Sequence, residues 1–158
     1  MEIILFFITA VLDIAADQWT KIWLNSTLSE GQSLFNWGFF HITLVHNTGS
    51  AFGLFHDSNL PLAIIEAVGA VAVLVILFLI RHKWRDWGGK LGIVALGLVF
   101  AGTIGNLIDR IHFGYVVDFI NCTYWPVFNV ADSSVTIGLI IIAVLTIWVV
   151  KPKEKTNG

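Results

Sequence analysis

Four aspartates, Asp17, Asp109, Asp118 and Asp132, lie in or beside strongly apolar runs, with Lys21 and Arg110 as the nearby cations. Two carboxyl groups held close together away from water do not ionise together; one keeps its proton while the other stays charged. Such a pair can hydrolyse an amide: the carboxylate takes a proton from water, and the acid protonates the carbonyl or the leaving amine. The two titrations then belong to the pair. Other hydrolytic arrangements fit less well. There is no HExxH, and His41, His46, His56, His82 and His112 lack metal-ligand spacing on one face, so neither a metal nor a cofactor is expected. No GxSxG surrounds Ser50, Ser133 or Ser134. Cys122, the single cysteine, has no paired histidine and reads as a small apolar filler.

The aspartates differ in their neighbours. Asp109 is followed directly by Arg110 and reads as half of a structural ion pair with it. Asp17 has Lys21 one helical turn away and the same reading. Asp118 sits among Val116, Val117, Phe119 and Ile120 with no adjacent cation. Asp132 falls on the first turn of a helix and, taken alone, reads as a cap. Beside Asp118 at a similar depth, it becomes the better catalytic candidate.

These residues must be positioned by membrane helices. The chain has 158 residues, of which 56% are hydrophobic and only 13% charged, with a mean hydropathy of +0.80. A soluble domain carries about 25% charged residues, and a body this small cannot enclose so much apolar surface. The net charge of −2 shows no basic excess, so nucleic acid is not an expected partner. Apolar stretches at 3–24, 60–80, 91–108 and 130–150 each approach the ~20 residues that a helix needs to cross a bilayer. Backbone groups in lipid must pair within their own segment, so these spans are expected as helices in a single domain.

Lysine and arginine placement orients them. The link 81–90 holds Arg81, Lys83, Arg85 and Lys90, and the tail holds Lys151, Lys153 and Lys155. Segments 25–59 and 111–129 hold none. The basic link and both termini are therefore expected inside, and the two longer connections outside. The first span reads as an uncleaved helix, because MEIILFF has no basic side chain and Asp13 and Asp17 interrupt the apolar run. Within Leu34–Phe55, FNWGFFHITLVHN alternates aromatic or β-branched residues with polar ones before NTGSAFG breaks the pattern. That pattern predicts short strands at the membrane surface, with Trp37, Phe39 and Phe40 suited to the headgroup zone.

Asp13, Asp17 and Lys21 recur at i, i+4 and i+8 on one face of the first helix, with Thr20 beside them. Helix rise places Asp109 ~27 Å above Leu91, Asp132 ~27 Å above Val150 and Asp17 ~22 Å above Glu2. Three acids on three helices thus reach one level near the outer surface, and Asp118 can join them. Small residues on the third helix, Gly97, Ala101, Gly102 and Gly105, allow close helix approach or room for a substrate helix. A proton- or ion-coupled transporter is the rival reading of intramembrane carboxylates. Against it, the polar residues cluster at one end and the second span carries only Glu66.

Five segments then combine into a specific signature: DQWTK (Asp17–Lys21), NTGSAFG (Asn47–Gly53), GNLIDR (Gly105–Arg110), VVDF (Val116–Phe119) and FNVADSSVTIG (Phe128–Gly138). In order and spacing the chain resembles the lipoprotein signal peptidase family, signal peptidase II. The resemblance implies an all-α membrane protein with four transmembrane helices and a small periplasmic β-cradle between helices 1 and 2. It implies an aspartic endopeptidase of the bacterial inner membrane that removes the signal peptide from diacylglyceryl-modified prolipoproteins, cutting before the lipid-modified cysteine. By matching motif, Asp118 and Asp132 would be the catalytic dyad. Asp17, Lys21, Asn47, Gly49, Asn106, Asp109, Arg110 and Asn129 would be supporting residues. Membrane lipid and globomycin-type peptide inhibitors are the other implied partners.

Overall fold

The computed structural model describes residues 1–49, 59–80, 82–83 and 88–150. Arg81, Arg85, the lysines of the tail and the Ser50–Gly53 half of NTGSAFG lie outside the described residues. The elements in chain order are α1 (Glu2–Thr27), β1 (Ser33–Trp37), β2 (Phe40–Asn47), α2 (Asn59–Ile80), α3 (Gly89–His112), β3 (Val116–Cys122) and α4 (Val130–Val150). Among the described residues, α1, α2, α3 and α4 are each long and apolar enough to cross a membrane. The four-helix expectation holds.

Helix α3 is central: α1, α2 and α4 all pack against it. Its small residues make this possible, because a backbone can approach another closely only where no Cβ intervenes. A Cβ at Gly97 would stand 3.1 Å from the Phe6 carbonyl of α1, and one at Gly102 would collide with the Ala131 carbonyl of α4. The small residues serve helix approach here. Phe6, Val73, Leu77, Ile93, Leu96 and Val99 form the buried cluster between these helices. Large apolar residues such as Ile4, Phe7, Val11, Ile64, Val68 and Leu79 are exposed. Outward apolar faces of this extent are those of a body solvated by lipid.

Strands β1, β2 and β3 form an antiparallel sheet in that order. The β1–β2 hairpin closes over Gly38 and Phe39, with Gly38 at φ +65°, the left-handed conformation that tight hairpins require at this position. Trp37 and Phe39 are exposed at its tip. The sheet is not confined to the connection between the first two helices: its third strand comes from the connection between α3 and α4. That strand is covered on both faces, with Val116, Val117, Asp118 and Phe119 all buried. Double coverage removes the apolar–polar alternation that would have marked it as a strand. Leu24, Leu28, Leu44, Val117 and Phe119 pack the sheet onto the end of α1.

Candidate active site

The polar residues gather where the sheet meets the ends of α1 and α3 and the start of α4. Lys21 is the hub. Its buried ammonium lies 2.8 Å from Asp17 Oδ2, 3.0 Å from Asp109 Oδ2 and 2.9 Å from Asn106 Oδ1. Three acceptors match three N–H donors. Each acid then reaches a further element with its backbone. Asp17 Oδ1 accepts from Ala131 N at 2.9 Å, satisfying a free donor in the first turn of α4. Asp109 Oδ2 accepts from Val117 N at 3.0 Å, which ties β3 to α3 one residue before Asp118.

The expected Asp109–Arg110 pair is not what forms. Consecutive helix residues point about 100° apart, so they cannot share one partner direction. Asp109 turns to Lys21, while Arg110 Nε turns to Glu66 Oε1 of α2 at 3.0 Å. Arg110 Nη2 also donates to Gly49 O at 3.2 Å. Thr20 does not join the site; its hydroxyl donates to the Ala16 and Asp17 carbonyls of its own helix. Asp13 accepts from Ser134 Oγ at 2.8 Å, apart from the Lys21 hub. Gln18, which residue type and spacing alone do not single out, donates to Asp109 Oδ1 at 3.0 Å and to the Gly105 carbonyl at 3.1 Å. Its place in DQWTK was the available signal.

Asp118 and Asp132 arrive from different elements and are joined by asparagines. At the start of α4, Asn129 and Asp132 cap reciprocally: Asp132 N donates to Asn129 Oδ1 at 2.9 Å, and Asn129 N to Asp132 Oδ2 at 3.2 Å. Asp132 therefore does cap its helix, and its other oxygen remains for the site. Asn129 Nδ2 donates to Asp118 Oδ1 at 2.8 Å, and Asn47 Nδ2 to Asp118 Oδ2 at 2.8 Å. Asn106 Nδ2 donates to Asp132 Oδ1 at 2.8 Å.

The three amides have no freedom to turn the other way. Asn106 Oδ1 faces the Lys21 ammonium, Asn129 Oδ1 faces the Asp132 N–H, and Asn47 Oδ1 faces the Gly49 N–H at 3.0 Å. Each of these neighbours can only donate, so each amide must present its N–H groups to a carboxylate. Asp118 is 2% exposed. Burial, reinforced by the charge of Asp132, pushes its carboxyl up to about 7, with the Asn47 and Asn129 hydrogen bonds opposing.

Both aspartates line a cavity of about 510 Å³. Its other walls include Leu62, Glu66 and Gly69 of α2, Thr103 of α3, and Trp125 and Phe128 ahead of α4. Apolar residues of α2 and α4 such as Leu62, Ile65 and Val135 thus share the lining with Asp118 of the sheet and with Glu66, Arg110 and Asp132 of the helices, a mixture suited to a largely apolar ligand with a few polar groups to be held.

Residues 9–148 match the family model described as signal peptidase (SPase) II. The lipoprotein signal peptidase of Dehalococcoides mccartyi (strain ATCC BAA-2100) is 42% identical over 137 residues, 87% of this chain and 85% of that protein. That of Moorella thermoacetica is 38% identical over 138 residues, covering 87% and 89%. A solved bacterial membrane enzyme superposes with a TM-score of 0.84 at 32% identity, over 97% of this chain and 93% of its own. With its four membrane-spanning helices and its acid-lined cavity, the chain belongs to the signal peptidase II family of membrane peptidases.

Proposed function

We propose that this protein cleaves the signal peptide from diacylglyceryl-modified prolipoproteins, on the amino side of the lipid-modified cysteine, with Asp118 and Asp132 as the catalytic pair. The observation that carries this reading is that the two acids line one cavity, each held by asparagine N–H groups that cannot reorient. The relatives' shared description as lipoprotein signal peptidases supports the substrate class.

In this reading the pair shares one proton, which we assign to Asp118, the acid more deeply enclosed by the sheet, leaving Asp132 as the carboxylate. Asp132 takes a proton from water as its oxygen attacks the scissile carbonyl, and Asp118 protonates the carbonyl oxygen. The tetrahedral intermediate collapses as Asp132 passes the proton it took from water to the leaving nitrogen, a hydroxyl of the intermediate returns a proton to Asp118, and the C–N bond breaks. The products are a carboxyl-terminated signal peptide and a free amine on the lipidated cysteine. Asn47, Asn106 and Asn129 hold the two acids in register. Asp17, Lys21 and Asp109 tie α1 and α3 to the two elements that carry those acids, α4 and β3, while Gly49 braces Arg110.

In this reading the enzyme lies in the bacterial inner membrane with both termini in the cytoplasm. The sheet end faces outward, where acyl chains anchored in the bilayer hold the substrate bond near the outer headgroups. Globomycin-type peptides compete for the same cavity. The test is a gel-shift cleavage assay on a diacylglyceryl-modified prolipoprotein. Asp118→Asn and Asp132→Asn should each abolish product while binding of a globomycin-type peptide survives. Near-normal turnover by purified Asp118→Asn enzyme would overturn the assignment.

A further inference from the structure

Helix α2 is apolar along its length except for Asn59 at its start and Glu66, and Glu66 stands in the cavity wall. Its Oε1 accepts from Arg110 Nε at 3.0 Å, while Arg110 Nη2 is engaged by the Gly49 carbonyl. Among the described residues, Glu66 Oε2 and Arg110 Nη1 are both buried without a hydrogen-bond partner. One ion pair therefore leaves one acceptor and one donor unsatisfied, on two residues that both line the cavity. Buried polar groups in native proteins are nearly always satisfied, so a matched pair of orphans beside a cavity marks a place for a further partner.

The chemistry of that partner is constrained. A carboxylate oxygen only accepts and a guanidinium only donates, so the partner must offer a donor and an acceptor side by side. In an extended polypeptide the N–H and C=O of one residue point to the same side, which is how paired strands exchange two hydrogen bonds. We infer that Glu66 and Arg110 form a subsite for one extended residue of the substrate, Arg110 Nη1 donating to its carbonyl and Glu66 Oε2 accepting from its N–H. The inference rests on the peptidase reading above. Glu66 then sets the register in which the chain lies across the cavity, and α2 contributes recognition as well as an apolar wall.

Lipidated substrate peptides in which single main-chain amides are replaced by esters test this, because an ester lacks the N–H but keeps the carbonyl. With the wild-type enzyme, one ester position should raise KM about tenfold, the loss expected for one hydrogen bond to a charged group, with kcat little altered. Glu66→Gln keeps an oxygen for Arg110 Nε but puts an NH₂ where the free acceptor was. It should raise KM about tenfold for the all-amide peptide and lose its sensitivity to that same ester position. Wild-type cleavage of every ester peptide with unchanged KM overturns the inference alone, and needs no variant to fold. Equal ester penalties in wild type and Glu66→Gln, with both melting at the same temperature in detergent, also overturn it. A wild-type enzyme that neither binds nor cleaves the lipidated all-amide peptide overturns the proposed function and this subsite together.

Discussion

Asn106 and Asp132 meet at 2.8 Å, amide nitrogen to carboxylate oxygen, and the direction of that contact is set by Lys21 on the far side of the amide. The ammonium can only donate, so it holds the asparagine oxygen and turns its N–H groups toward the acid. A cation buried on α1 thereby prepares a carboxylate on α4 that it does not itself bond. Asn106→Asp would replace the donor with an oxygen and place a second acid against Asp132. Cleavage should fall more than about a hundredfold, the scale of a lost charge-assisted hydrogen bond combined with like-charge repulsion. Steady-state kinetics on a lipidated peptide checks this; retention of more than a tenth of wild-type kcat would show the contact to be incidental.

Removing the hub should be worse for the fold than for any single catalytic contact. Lys21→Met leaves Asp17 and Asp109 buried without their counter-charge. Breaking such a pair by deleting one partner costs about 3–5 kcal/mol. The detergent-solubilised variant should unfold at a clearly lower temperature than wild type, and Asp17→Asn or Asp109→Asn added to Lys21→Met should recover part of the loss. A Lys21→Met protein with an unaltered melting curve would contradict the burial of the triad.

The Asp118 carboxyl, raised from 3.8 to about 7, gives two linked pH effects. The protonated form is the one the fold favours. Its stabilising contribution is therefore complete below pH 3.8 and is lost as pH rises through about 7, a change of a few kcal/mol. Asp118→Asn should flatten that part of the melting temperature–pH profile. If Asp118 supplies the acid, kcat/KM of the wild type should also decline as pH rises through about 7. Activity that keeps rising between pH 7 and 9 would rule out Asp118 as the resting proton donor.

Gly105 tests the close approach of helices at the site. A Cβ there would stand 2.6 Å from Asp17 Oδ2 and 3.2 Å from Ala131 Cβ. Gly105→Ala should therefore push α1 and α4 off α3, costing about 1–3 kcal/mol as overpacking does and displacing Asp132 with α4. Gly31→Ala, where a Cβ would meet nothing within 4 Å, carries only the strain of its positive φ and should leave kcat unchanged.

The sequence was legible wherever composition and period alone carry the information. Four runs of lipid-compatible length specified four helices, because a bilayer leaves the backbone no other economical way to pair. Residue spacing put Asp17 and Lys21 on one face, and they are paired at 2.8 Å. It also brought Asp109 to the depth at which Lys21 holds it. What the order of residues could not settle was partner choice between elements. The adjacency of Asp109 and Arg110 suggested a pair, yet helix geometry sends one to α1 and the other to α2. Strand β3 was hidden because burial on both faces erases alternation, so the sheet that carries Asp118 became visible only in three dimensions. The orientation of Asn47, Asn106 and Asn129 is likewise tertiary: an amide looks the same from either end until a distant donor occupies one of them.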